Sequence, residues 1–180
     1  MTAGSAFDLS IRAARPDDWE AVYLAREEPS VRHNILAVSF TSPVSFRERF
    51  QSPREGHYAV VAEAIYPDGR HLIAGEAGLH RGELDRAHVA GLGIHVATVY
   101  QGMGIGTALM RGLLDLADNW LNLHRVELEV FSDNERGVAL YKKMGFEIEA
   151  TMRRYAYRDG AYTDAFKMGR LNPHHEASTR

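Results

Sequence analysis

The sequence predicts a mixed α/β domain. Hydrophobic periodicity switches repeatedly between two residues and about 3.6, as it does where strands and amphipathic helices alternate. Two turn signals, Tyr66-Pro67-Asp68-Gly69 and Arg158-Asp159-Gly160, sit between alternating segments and mark hairpins. A glycine-rich stretch joins the third strand of a meander to a helix, which places one crossover in the sheet.

Leu9, Ile11 and Ala13 alternate with polar neighbours, as in a half-buried strand. Pro16-Asp17-Asp18 opens a helix, with proline early and acids in the first turn. Trp19, Val22, Tyr23 and Arg26 follow at helical spacing, and Pro29 ends the helix. Residues 30–42 have no clean period and read as a long loop, of a kind that often carries function. Ser45 to Gln51 reads as a short helix. His57 to Ile65 and His71 to His80 are strands on either side of the first turn, and His88 to Val96 is a third. Gly91 and Gly93 within that third strand signal a bulge or a close backbone approach.

Ala108, Leu109, Leu113, Leu116, Ala117 and Trp120 give the next helix one broad apolar face. Arg125 to Phe131 alternates strictly, with Val126, Leu128 and Val130 on one side. Ser132 or Asp133 can cap a helix from Asn134 to Met144. Lys142, Lys143 and Gly145 suit its C-terminal end. Phe146 to Tyr157 and Ala161 to Leu171 are the last two strands. Residues 1–7 and 172–180 are small or polar and are expected to fray, leaving 8–171 as one domain.

Composition narrows the function classes. A net charge of −3 with mixed signs argues against nucleic acid or an anionic membrane held by bulk electrostatics. The absence of cysteine excludes disulfides, thiolate metal sites and a cysteine nucleophile. No basic segment followed by an apolar run opens the sequence, and no stretch approaches membrane-spanning length, so the expected location is the cytoplasm. The nine histidines do not suggest a metal site. His88 and His95 are expected on opposite sides of one strand, as are His71 and His80, and there is no H-E-x-x-H.

The glycines at Gly102, Gly104 and Gly106 stand at the entrance of a helix, where glycine costs roughly 1 kcal/mol against alanine. Their spacing fits neither G-x-G-x-x-G nor a lysine-bearing phosphate loop, since Thr107 follows Gly106 directly. Two readings stay open on the glycines alone. Backbone amides and the helix dipole could seat an anion, or small residues could let the helix pack on the sheet.

The wider pattern is more specific. Gln101, Gly104 and Gly106 make a Q-x-x-G-x-G segment after Ile94-His95-Val96, and Asn134 and Ala139 to Phe146 (A-L-Y-K-K-M-G-F) follow. The chain thereby resembles the GCN5-related N-acetyltransferase (GNAT) superfamily, although Ala139 sits later than the family's alanine. Residues 117–171 resemble a bacterial branch that acetylates small molecules, including free amino acids. The resemblance implies a central, mostly antiparallel twisted sheet of about seven strands flanked by about four helices.

It also implies transfer of an acetyl group from acetyl-CoA to a primary amine. The backbone of Ile94, His95 and Val96 would hold the pantetheine arm and acetyl carbonyl. Gln101, Gly102, Met103, Gly104, Ile105, Gly106 and Thr107 would cradle the diphosphate. Asn134 would contact the cofactor arm, or cap its helix. Tyr141 matches the family's acid for the leaving thiolate, a task a phenol with an ordinary pKa near 10 can perform at neutral pH. Glu129 lines up with a glutamate used as base in relatives, with His95, Glu76 or water as alternatives. The acceptor pocket falls on residues 31–40 and 155–164. Asn34, Leu36 and Tyr162 would line it, and its apolar character with one carboxylate, Asp164, suits an amino acid with an apolar side chain. The alternatives are a protein N-terminal acetyltransferase and a non-catalytic acyl-CoA-binding module. Relatives also point to a homodimer.

Overall fold

Strands β1 (Asp8–Ala13), β2 (His57–Ile65), β3 (His71–Arg81), β4 (Val89–Val96), β5 (Arg125–Phe131), β6 (Glu147–Arg158) and β7 (Ala161–Leu171) form one sheet. Their order is β1-β2-β3-β4-β5-β7-β6. The structure is a computed structural model and describes residues 7–37, 41–52 and 55–176. Every neighbouring pair is antiparallel except β4–β5, which is parallel because a helical crossover separates the two strands. At the last hairpin Asp159 and Gly160 take φ values of 51° and 81°, the left-handed pair that a tight two-residue turn requires.

Helices α1 (Trp19–Glu27), α2 (Pro29–Arg32), α3 (Pro43–Gln51), α4 (Ile105–Asp115), α5 (Glu135–Lys143) and α6 (Pro173–Glu176) complete the described residues. The two beyond the expected count, α2 and α6, are four-residue turns that begin on proline. Part of the segment read as a long loop is therefore helical. The larger core lies under α4, where Ile105, Leu109, Met110 and Leu113 pack on Ala77, Leu79 and Leu128. A smaller cluster of Val22, Phe46 and Val61 joins α1 and α3 to the sheet.

Four local expectations are corrected. Trp120 is 77% exposed rather than buried. The helix relaxes into wider π turns over Leu116–Trp120, with Leu121 N–H donating to Leu116 O, and this rotates Trp120 off the apolar face. Phe7 does not fray, because its ring packs 5.6 Å from those of Tyr66 and Tyr100. Asn172 is only 1% exposed. Its amide donates to Leu123 O at 2.9 Å, which ties down the start of the tail. Asn134, not Ser132 or Asp133, caps α5 by accepting from Gly137 N–H at 2.9 Å. The remaining expectations about the termini, at residues 1–6 and 177–180, lie outside the described residues.

Candidate active site

Strands β4 and β5 pair only at Val89–Arg125, Ala90–Val126 and Gly91–Glu127. Beyond that point the strands part, while β4 stays in register with β3 up to Val96. The edge of Leu92–Val96 that faces β5 thus opens on a cleft. No register shift interrupts β4, so the expected bulge at Gly91 and Gly93 is absent. A Cβ at Gly93 would meet nothing within 4 Å. Its missing side chain leaves space along the strand instead of kinking it.

A cavity of about 840 Å³ runs from this cleft to the start of α4. It brings together twelve predicted residues: Asn34, Ile94, His95, Val96, Gln101, Gly102, Gly104, Ile105, Gly106, Thr107, Asn134 and Tyr141. Gly102 and Gly104 have φ values of 79° and 83°, and no heavy atom lies within 4 Å of where either Cβ would sit. Only glycine adopts that geometry without strain, and it turns bare backbone toward the groove at a helix N-terminus. Gly106 differs, because its Cβ would lie 3.2 Å from Leu140 Cδ2. That glycine serves packing between α4 and α5. Gln101 Nε2 donates to Val96 O at 3.1 Å and fixes the loop to the end of β4. Met103 is 57% exposed and lies outside the lining.

A second cavity of about 470 Å³ lies between the sheet and helices α1 and α3. It shares Asn34, Ile35, Ile94, His95 and Tyr141 with the first. Asn34, Leu36 and Glu129 line it, as expected. Tyr162 does not. It sits at the tip of the last hairpin, 66% exposed, with its ring 5.1 Å from that of Tyr157. The alternation of β7 in that hairpin carries its ring away from the cleft. Asp164 accepts from Arg154 N–H at 2.7 Å and lines neither cavity. Phe40 lies outside the described residues.

The second cavity is more polar than expected. Its wall carries Glu76, His95, Arg26 and Arg49 beside the apolar Val22, Phe46 and Leu92. Glu76 Oε2 lies 3.4 Å from His95 Nδ1, and His95 Nε2 is buried without a hydrogen-bond partner. Glu129 accepts from the Tyr155 hydroxyl at 2.6 Å and from Lys167 Nζ at 3.3 Å. Burial pushes the Tyr141 hydroxyl up to about 12, so it stays protonated at neutral pH. No group of three or more His, Asp or Glu side chains among the described residues is placed to hold a metal ion.

The family model described as Acetyltransferase (GNAT) family matches residues 18–146, well over half of the chain. This chain belongs to the GNAT acetyltransferase family. The acetyltransferase is 38% identical over 164 residues to the L-amino acid N-acetyltransferase AaaT of Escherichia coli K12, covering 91% of this chain and 98% of that one. It is 33% identical to a spermidine N(1)-acetyltransferase of Vibrio cholerae, covering 89% and 91%. In fold it matches the crystal structure of spermidine N-acetyltransferase from Vibrio cholerae in complex with CoA and spermine, with a TM-score of 0.80 at 22% identity over 91% of this chain and 95% of that one. The chain is therefore an acetyl-CoA-dependent acetyltransferase.

Arg26 and Glu76 were not named among the expected site residues, although Glu76 stood as an alternative base. The signal for Arg26 was an arginine four residues after Val22, within the stripe of α1 that turns inward.

Proposed function

We propose that this enzyme acetylates the α-amine of a free amino acid with an apolar side chain. One observation carries the reading: the groove and the smaller cavity meet at Ile94, His95 and Tyr141. A long cofactor laid along the first would end where a compact acceptor in the second begins. The likeness to AaaT over nearly the whole chain supports the same acceptor class.

The groove fits the coenzyme. Its amide-rich start of α4 suits a diphosphate, and the open edge of β4 suits an extended amide-bearing arm. Acetyl-CoA supplies the thioester carbonyl that the amine attacks. The chain must then do three things. Free N–H groups of β4 orient the carbonyl and stabilise the charge that develops on its oxygen. The His95 imidazole, steadied by Glu76, accepts the proton that the amine must lose. Tyr141 returns a proton to the departing sulfur. Glu129 is occupied by Tyr155 and Lys167 and helps shape the acceptor wall.

The test is thiol release from acetyl-CoA with a panel of L-amino acids, spermidine and an unblocked N-terminal peptide. Leucine-like amino acids are expected to give the highest kcat/KM. A preference for the polyamine or the peptide would overturn the assignment.

A further inference from the structure

The second cavity holds a guanidinium that makes no ion pair among the described residues. Arg26 lines its wall from α1, and its guanidinium lies over the Phe46 ring, 5.4 Å from the centroid. Several other arginines of the described sheet and helices are paired: Arg12 with Asp18, Arg125 with Glu149, Arg158 with Asp133, Arg170 with Asp118. Arg49, from α3, lines the same cavity and is likewise without an ion pair among the described residues. Two partly buried cations on the lining of a partly apolar cavity is an unfavourable arrangement.

The electrostatics describe the same imbalance. Burial pulls the Arg26 guanidinium below its ordinary value. Glu76 and Glu27 oppose that, and Arg49 adds to it. An anion between the two guanidiniums would reverse the contribution of burial and relieve their mutual repulsion. The strand side of the lining carries Glu76 beside His95. The cavity therefore offers an anion and a base to an ammonium or amine, as well as two cations to an anion.

We infer that Arg26, assisted by Arg49, is the receptor for the acceptor's α-carboxylate and selects amino acids over amines that lack an anion. An α-amino acid bound this way places its carboxylate on Arg26 and its nitrogen toward His95 and Tyr141. Its side chain is left among Val22, Phe46 and Leu92. A polyamine has no group for the cationic wall and suffers repulsion from it. The inference rests on the amino-acid reading above and assigns the residues that enforce it.

The experiment compares L-leucine with L-leucinamide, which keeps the amine and side chain and lacks the anion. In the unmodified enzyme leucine is preferred, and isocaproate, the leucine skeleton without its amine, competes with leucine. Arg26→Gln should lower the leucine-to-leucinamide ratio of kcat/KM by roughly 10- to 100-fold, the range expected for a lost charge-assisted contact. Arg26→Lys, which keeps the charge without the fork, should lose part of it, and it serves as the second variant where the glutamine form folds poorly. Coenzyme affinity by calorimetry reports that each variant is folded. Equal losses on both substrates, leaving the ratio unmoved, would make Arg26 a structural residue and overturn the inference alone. Turnover of spermidine with none of any amino acid would overturn the inference together with the reading beneath it.

Discussion

Glu76 and His95 face each other across the β3–β4 ladder, with Oε2 and Nδ1 3.4 Å apart. The imidazole is 4% exposed, and its Nε2 has no hydrogen-bond partner among the described residues. A carboxylate at one ring nitrogen sets the orientation and tautomer of the ring, which leaves the other nitrogen for proton transfer. His95→Gln is expected to lower kcat about 100-fold, with a smaller change in the KM for acetyl-CoA. Glu76→Gln should cost less, since it removes the positioning group rather than the proton acceptor. Steady-state kinetics on both variants checks this. An unchanged kcat in His95→Gln would remove the histidine from the chemistry.

Glu129 provides the complementary measurement. Its carboxylate accepts from Tyr155 and Lys167, and the bond to Glu129 raises the Tyr155 pKa. A base tied to two donors is a poor proton acceptor. Glu129→Gln should therefore reduce kcat by less than about tenfold. A loss as large as that of His95→Gln would return the base to β5.

Tyr141 lines both cavities and is pushed up to about 12 by burial alone. Tyr141→Phe should lower kcat about 100-fold while coenzyme affinity and melting temperature change little. The raised value also fixes the sign of the pH effect. The phenol is the proton donor and stays protonated below its pKa, so it adds no falling limb to the rate through neutral and moderately alkaline pH. A kcat profile that falls near pH 9 in the parent but not in Tyr141→Phe would place the phenol's titration there and contradict the burial-raised value.

Much of the fold was legible because it rests on local signals. Strict alternation marks Arg125–Phe131, and Asp159-Gly160 marks the last hairpin. The lining of the larger cavity was legible too, because its residues cluster in two short motifs. The acceptor cavity was not. Its wall is assembled from α1, α3, β3, β4 and the segment after α2, far apart in sequence. Nothing local reveals that Arg26 makes no ion pair among the described residues. Tyr162 looked like a pocket residue for the opposite reason: an aromatic near the cleft in sequence stands at a hairpin tip in space. Trp120 was misplaced because a change to π turns leaves no mark in an apolar stripe.

Asp18 holds the start of α1, the helix that carries Arg26. Arg12 donates to both of its carboxylate oxygens, at 2.8 and 2.9 Å, and Arg15 N–H donates at 2.6 Å. Burial pushes the Asp18 pKa up, but these donors outweigh it and hold it below the usual value. A lowered folded-state pKa means the stabilisation is present above the unfolded carboxylate's pKa and is lost as pH falls through the folded one. Asp18→Asn should cost about 1–3 kcal/mol at pH 7 in urea unfolding. The gap between parent and variant should close as the pH is lowered below 4. A gap independent of pH would mean the loss comes from packing, not charge.

Gly104 and Gly106 are two residues apart yet should fail in different ways. Gly104 caps α4 with φ of 83°, in open space, so a side chain there meets no neighbour but strains the backbone. Gly104→Ala should cost roughly 1–2 kcal/mol of local conformational energy. The loop would relieve that by turning its amides out of the groove, weakening coenzyme binding about tenfold. At Gly106 the obstacle is steric, Leu140 Cδ2 at 3.2 Å, and it is the end of a flexible side chain. Gly106→Ala should mainly lower the melting temperature, and Leu140→Ala in the same protein should relieve the clash without restoring anything in Gly104→Ala. Calorimetric titration with coenzyme A and thermal unfolding separate the two outcomes. Unchanged coenzyme affinity in a folded Gly104→Ala protein would show that the amides before α4 do not hold the diphosphate.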